Sequence, residues 1–249
     1  MELERKVALI TGGTKGIGAA AAVSLAGQGT EIAIVGRHDD DQAARTRAMV
    51  EDRGRSCLVV TADLARPDEA TRCVREVADR LGSVDVLVHS AGGNVIGGLL
   101  EVSPEAWHEA FNVHVHAVYY LCRAAIPLMR KKKEGSVVLI SSVAGLRGIP
   151  MNLAYQVVKG TLPQFTRALA REFADDNIRV NCVAPGIIRT RFHDKMTPAQ
   201  KKHNLDNRVP LHREGTPEQV ADLVTALVTN DYITGETVAI DGGLTMRIA

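Results

Sequence analysis

Tyr155 and Lys159 stand four residues apart in YQVVK, so on a helix they share one face, and Ser142 closes the run GSVVLISS thirteen residues before the tyrosine. A phenol, an ammonium and a hydroxyl brought together could move a proton to or from a substrate oxygen. A free phenol titrates at about 10, so Tyr155 serves as an acid or base near neutrality only when a nearby positive charge stabilises its phenolate. Lys159 is spaced to be that charge, and Ser142 could hydrogen-bond the same oxygen. Each residue alone also has an ordinary reading, because helix-surface Tyr/Lys pairs are common and a serine at a strand end is often a turn residue.

A second group lies near the start, where TGGTKGIG, residues 11 to 18, directly follows an apolar run. Its glycines do not fit the GxGxxG spacing, yet they sit where a strand would turn into a helix. Gly12 would permit the tight turn, Gly16 would let the backbone approach a pyrophosphate at the helix N-terminus, and Gly18 would let helix and strand pack closely. At the end of the second apolar run, where an NAD site carries a carboxylate for the ribose hydroxyls, this chain has Gly36 followed by Arg37. Arg37, with Lys15 of the glycine loop, could bind a 2′-phosphate, so NADP(H) is expected in preference to NAD(H). NAD(H) stays possible, because Asp39 to Asp41 lie nearby and both cations could simply be solvated.

The elements that must position these groups are legible as a rhythm. Short runs rich in Val and Ile, at 6 to 11, 31 to 36, 56 to 62, 84 to 90, 135 to 141, 178 to 184 and 236 to 241, alternate with longer amphipathic segments. Repeated βαβ units predict an α/β fold, a doubly wound parallel sheet of about seven strands with helices on both faces. A length of 249 residues suits one domain spanning 1 to 249, and the polar excursion at about 186 to 215, with a helix signal after Thr197-Pro198, reads as a substrate loop or lid. Thirty Lys and Arg against 29 Asp and Glu leave no field for nucleic acid or an anionic membrane, so neither partner is expected. No window resembles a signal peptide or membrane span, and Cys57, Cys73, Cys122 and Cys182 show no metal-ligand spacing. A cytoplasmic protein with reduced thiols and no metal site is the expectation.

Together these motifs resemble the short-chain dehydrogenase/reductase family over essentially the whole chain: the glycine loop, Asp63-Leu64, Ala91-Gly92, Ser142, Tyr155, Lys159, Asn181, Pro185-Gly186 and the DGG at 241 to 243. The resemblance implies a Rossmann-fold oxidoreductase that transfers hydride between a nicotinamide and a carbonyl or secondary alcohol, with Ser142, Tyr155 and Lys159 catalytic and Lys159 also holding the nicotinamide ribose. The cofactor would be held by Gly12, Thr14, Lys15, Gly16, Ile17, Gly18, Arg37, Asp63, Leu64, Ala91, Gly92, Tyr155, Lys159, Pro185, Gly186, Ile188 and Thr190. Substrate would meet Ser142, Asn94, Met151, Tyr155, Ile187 and His193, within stretches 93 to 96, 146 to 151 and 187 to 193. A homotetramer is implied too, with Tyr119, Tyr120 and Phe165 as candidate contacts.

The chain departs from the family pattern at three places. The family places an asparagine, which holds a water in a proton relay, where this chain has His114. An imidazole could bind that water or titrate in the relay, or it could be a satisfied core histidine filling a helix face shared with Trp107, Phe111, Val118, Leu121 and Ala125. Asn112 cannot replace it, since two helical residues turn about 200°. His89 and Ser90 stand where NNAG is usual, which should alter the hydrogen bonds at that strand end. Pro163, four residues after Lys159, predicts a kink or an early stop in that helix. Two rival functions remain: a 3-oxoacyl thioester reductase, for which Lys133 and Arg171 would contact an acyl carrier, and a non-catalytic NADP-binding sensor or scaffold on the same fold.

Overall fold

The computed structural model describes residues 1 to 190 and 196 to 246. Seven parallel strands, β1 (Val7–Thr11), β2 (Glu31–Gly36), β3 (Cys57–Thr61), β4 (Val86–His89), β5 (Gly135–Ile140), β6 (Ile178–Pro185) and β7 (Thr237–Ile240), form one sheet in the order β3-β2-β1-β4-β5-β6-β7. Each falls within a residue or two of an expected apolar run. The central strands are buried on both faces, while β3 and β7 sit at the edges and are only half-buried. The doubly wound expectation therefore holds, with alternation of side chains feeding two separate cores.

Leu9, Leu87, Val137 and Leu139 point to one face, where α3 (Pro67–Leu81), α5 (Ala117–Lys132) and α6 (Leu153–Glu172) pack. Ala8, Ile10, Val86, Val88 and Val138 point to the other, against α1 (Gly16–Ala26), α2 (Asp41–Glu51) and α8 (Pro217–Thr229). Strand order reverses between β1 and β4, whose ends pair Thr11 with His89. A crevice outside those carboxyl ends is the place where such sheets bind ligands.

Two helical expectations need correction. The segment from 104 to 130 is not one helix with one buried stripe: α4 (Pro104–Phe111) passes through a π-helical turn, Asn112–His116, before α5 begins. The wider turn rotates the face, so Trp107 and Phe111 pack in a small cluster with Ala110, Ala154 and Val158, while Val118, Leu121 and Ala125 enter the main core. Pro163 does not stop α6, which runs on to Glu172. The carbonyl that Pro163 deprives of its helical donor, that of Lys159, accepts instead from Ser141 Oγ at 2.7 Å.

The excursion after β6 carries α7 (Pro198–His203), started as expected at Thr197-Pro198 by a capping box in which the Thr197 side chain accepts from Gln200 N–H. Among the described residues no helix is long and apolar enough to cross a membrane. Cys73, Cys122 and Cys182 are buried and Cys57 is half-buried, all four free; burial pushes the thiols of Cys57, Cys73 and Cys122 up to about 12, which makes them poor nucleophiles.

Candidate active site

A cleft of about 2010 Å³ opens along the carboxyl ends of the strands. At one end lies the glycine turn. Gly12 has φ +63°, and a Cβ there would lie 2.9 Å from the Ala91 backbone, so the first and fourth strands can approach only if residue 12 is glycine. A Cβ on Gly18 would sit 2.3 Å from the Gly12 carbonyl oxygen, so this glycine packs helix on turn and does not itself line the cleft. The Lys15 N-cap of α1 supplies no side-chain cap, and the first turn carries no acid, which leaves the helix N–H groups and their positive end turned to the cleft.

The far corner is cationic. Arg37 and Lys15 are both exposed and both line the cleft. A Cβ at Gly36 would lie 2.6 Å from the Thr14 methyl, so a residue carrying the ribose-binding carboxylate of an NAD site would have to displace the Thr14 side chain. Asp40, which left the cofactor choice open, is committed elsewhere: its carboxylate accepts from Gln42 N–H and Ala43 N–H and caps α2. Asp63 and Leu64 follow β3 along the same wall.

At the other end, Ser142, Tyr155 and Lys159 converge as their spacing suggests. Burial holds the Tyr155 phenol above its ordinary value, opposed by a hydrogen bond with Ser142. Lys159, 5% exposed, is pushed down to about 8 by burial; its Nζ lies 5.8 Å from the Tyr155 ring centre and donates to the Ile140 carbonyl at 2.7 Å. The chemistry of this donor set suits a dinucleotide with a substrate oxygen beyond it: backbone N–H groups and cations for phosphates at one end, a proton donor and an ammonium at the other.

His114 borders the same end, 2% exposed, its ring edge-on to Tyr155 with centroids 6.0 Å apart. Its Nε2 meets both polar groups of one residue, the Gly93 N–H at 3.3 Å and the Gly93 carbonyl at 3.1 Å. Either neutral tautomer is therefore accommodated, and Nδ1 is buried with no partner among the described residues. Gly92 makes room for the imidazole: at φ +140° its Cβ would fall 2.0 Å from His114 Cε1. Burial and the Lys159 charge push His114 down to about 2, so it does not titrate near neutrality. Of the two relay roles expected for it, this favours the neutral water-binding one. Asn112, as expected, faces elsewhere and meets the exposed His116 at 3.0 Å.

His89 is wholly buried and pushed down to about 3 by desolvation and then by Lys159. Thr11 Oγ1 accepts from Ala91 N–H at 3.3 Å and shares a hydrogen bond of 2.9 Å with His89 Nδ1, its direction set by the imidazole tautomer. The other ring nitrogen, Nε2, is buried beside the Val113 backbone of the π turn without a well-formed hydrogen bond.

Asn94, Ile187, Ile188, Thr190, Pro185 and Gly186 line the cleft where they were placed, as do Thr14, Ile17, Ala91 and Gly92. Met151 does not: it is 55% exposed, φ +58°, with its carbonyl accepting from Gly97 N–H; Ile149, from the expected stretch 146 to 151, and Asn152, an expected polar contact, do line the cleft. Leu146 to Gly148 also stay outside the wall. His193, with Arg191, lies outside the described residues. Arg189 lines the cleft mouth but pairs with the buried Glu214, at 3.4 Å. Asn181 is a sheet tie, its amide donating to the Ile233 carbonyl and its oxygen accepting from Glu236 N–H. Sequence reasoning missed Ser141 and Glu109, whose places depend on how β5 and α4 approach the cleft, which no local spacing encodes.

Comparison with known proteins agrees with this geometry. A family model described as enoyl-(acyl carrier protein) reductase matches residues 12 to 245. The chain is 34% identical over 244 residues to 3-oxoacyl-[acyl-carrier-protein] reductase FabG of Chlamydia trachomatis serovar D, covering 97% of this chain and 98% of that protein. It is 36% identical over 251 residues to dehydrogenase/reductase SDR family member 4 of Sus scrofa, covering 99% and 89% respectively. Among solved structures, L-sorbose reductase of Gluconobacter frateurii, complexed with NADPH and L-sorbose, superposes with a TM-score of 0.92 at 29% identity over 100% of this chain and 99% of that one. The chain belongs to the short-chain dehydrogenase/reductase family and is a nicotinamide-dependent oxidoreductase.

Proposed function

We propose that the protein is an NADP-dependent reductase of small-molecule ketones, working reversibly on the corresponding secondary alcohols. The observation that carries this reading is one continuous cleft with Arg37 and Lys15 at the phosphate corner, glycine and not a carboxylate at position 36, and Ser142, Tyr155 and Lys159 at the opposite end. When bound, the nicotinamide cofactor supplies or accepts the hydride. Tyr155, kept protonated by burial, gives its proton to the developing alkoxide, while Ser142 hydrogen-bonds the same oxygen and the Lys159 charge stabilises the phenolate left behind. His114, neutral near pH 7 and with its Nδ1 not engaged by any hydrogen bond among the described residues, would serve a proton relay by holding a water and not by becoming charged.

The acyl-carrier reading has less support. Lys133, a cation it needs free, donates to Asp176 at 2.5 Å beside Arg130, which shares that carboxylate. A panel of ketones, 3-oxoacyl thioesters and alcohols, assayed by nicotinamide absorbance with both cofactors, separates the readings: ketone turnover supports this one, and turnover of thioesters alone rejects it. No turnover of any panel member with NADPH bound would favour a binding protein instead.

Arg37→Asp is expected to reverse cofactor preference, shifting the NADPH to NADH ratio of kcat/KM on the order of 10- to 100-fold or more by adding a ribose acceptor and repelling the phosphate. Wild-type turnover that is faster with NADH would contradict the assignment.

We further infer a homotetramer in the cytoplasm, through the outer faces of α5 and α6. Tyr119 is 47% exposed and Val157 is also exposed on these helices, whereas Tyr120 and Phe165 are partly buried against the core and offer less to a partner. Light scattering at micromolar concentration should give four times the 26.8 kDa chain mass; a monomeric mass rejects the tetramer.

A further inference from the structure

Three consecutive residues at the end of β5 each reach the catalytic pair. The Ile140 carbonyl accepts from Lys159 Nζ, the Ser141 hydroxyl donates to the Lys159 carbonyl, both at 2.7 Å, and the Ser142 hydroxyl meets Tyr155. Lys159 is thus held at both ends, its ammonium by residue 140 and its backbone by residue 141.

The second hold answers a defect within α6. In an uninterrupted helix the Lys159 carbonyl would accept from the N–H of residue 163, but Pro163 has none, and its ring crowds that carbonyl outward. Here the surroundings are dry: Ser141 is 3% exposed and Pro163 is buried. Strand end and helix touch through their backbones, since a Cβ on Gly145 would lie 2.6 Å from the Lys159 carbonyl carbon and 2.7 Å from Gly160 N. Water has no path to the orphaned oxygen at that contact, and a buried carbonyl without a donor is destabilising. Ser141 is itself fixed, its N–H donating to the Val183 carbonyl on β6 at 2.8 Å.

We propose that Ser141 is a positioning residue for Lys159, made necessary by Pro163: its hydroxyl replaces the missing helical hydrogen bond and so sets where the lysine side chain starts and how its ammonium is presented to the active site. This rests on the reading of Lys159 as the residue that stabilises the Tyr155 phenolate. It predicts a specific coupling. Removing the Ser141 hydroxyl frees the Lys159 backbone, but only while residue 163 is proline; with an N–H at 163 the helix supplies the bond itself.

The experiment compares wild type, Ser141→Ala, Ser141→Thr, Pro163→Ala and the Ser141→Ala/Pro163→Ala double variant. Readouts are kcat and KM for a ketone against pH, the NADPH dissociation constant, and the Lys159 titration followed by NMR of ¹³C-labelled lysine in the cofactor-free protein. Ser141→Ala should lower kcat about 10-fold with little change in ketone KM, and move the Lys159 titration and the alkaline break of the rate profile together, by about half a unit. Ser141→Thr should keep wild-type behaviour, and the double variant should return to within about threefold of Pro163→Ala. Wild-type kcat and titration in Ser141→Ala would overturn the proposal. So would an equal loss in both backgrounds, which would make Ser141 generally structural. Should Pro163→Ala fail to fold, the Thr and Ala variants decide alone through the rate profile and the lysine titration. If wild type reduces no ketone, the proposed function fails separately, and the titration in cofactor-free protein still tests the coupling.

Discussion

Tyr155→Phe is expected to lower NADPH-dependent turnover on the order of 10²- to 10⁴-fold while leaving NADPH affinity within a few-fold of wild type. The substitution removes one oxygen and keeps the buried ring, so its edge contact with His114 and the fold around it survive. What is lost is the proton donor. Burial keeps the phenol protonated through the neutral range, which suits reduction; Lys159, pushed down to about 8, is charged below that pH and neutral above it. Wild-type reduction should therefore be flat from about pH 6 to 7 and fall as pH rises through about 8, when the charge that stabilises the phenolate is lost. Tyr155→Phe should be slow at every pH, with no such break. Single-turnover measurement of hydride transfer, with a deuteride isotope effect to show that chemistry is being observed, checks both statements. A variant as fast as wild type would remove Tyr155 from the mechanism and leave the cleft without its acid.

How much of this was legible in the sequence depends on the range of the interaction. Strands declared themselves because burial on both faces makes their runs continuously apolar, and the strand to glycine turn to helix order placed the cofactor end. Tyr155 and Lys159 were legible because helical spacing is local. The π turn was not, since nothing in FNVHVHAVYY distinguishes an extra residue in a turn from ordinary helix, and it is this turn that divides the stripe on which His114 lies. Pro163 was legible as a defect but not as a repaired one: the repair comes from Ser141, on another element, whose position relative to α6 is set by the Gly145 backbone contact. Met151 was misplaced for a similar reason. Its apolar side chain suited a pocket, but the backbone turns there at positive φ and carries it outward.

His89 and His114 make the native state vulnerable to acid, and the size of the effect follows from proton counting. In the unfolded chain both imidazoles bind protons near about pH 6.5. In the native fold, desolvation first and the Lys159 charge second hold His89 to about 3 and His114 to about 2. Between those limits unfolding takes up two protons, so stability falls as pH falls below about 6.5, by roughly 3 kcal/mol per unit at full slope. Two units of acidification would then cost about 5 kcal/mol, comparable with the whole stability of many domains. Denaturant unfolding from pH 7 to 4 should show this decline, and His114→Asn, whose amide does not titrate, should remove about half of the slope. Parallel curves for the two proteins would mean that His114 is already charged, or solvated, in the native state. The same variants divide the roles left to His114. If it orients a relay water through Nδ1, the asparagine retains most turnover, and His114→Leu, which fills the space without a polar atom, loses roughly 10²-fold or more although it folds and binds NADPH. If it only fills space, leucine is tolerated and asparagine destabilises through the gap and an unpaired amide. Acid stability and turnover thus part company: both substitutions flatten the pH dependence, because both remove the titrating ring, but only a relay makes catalysis follow the polar atom and not the volume.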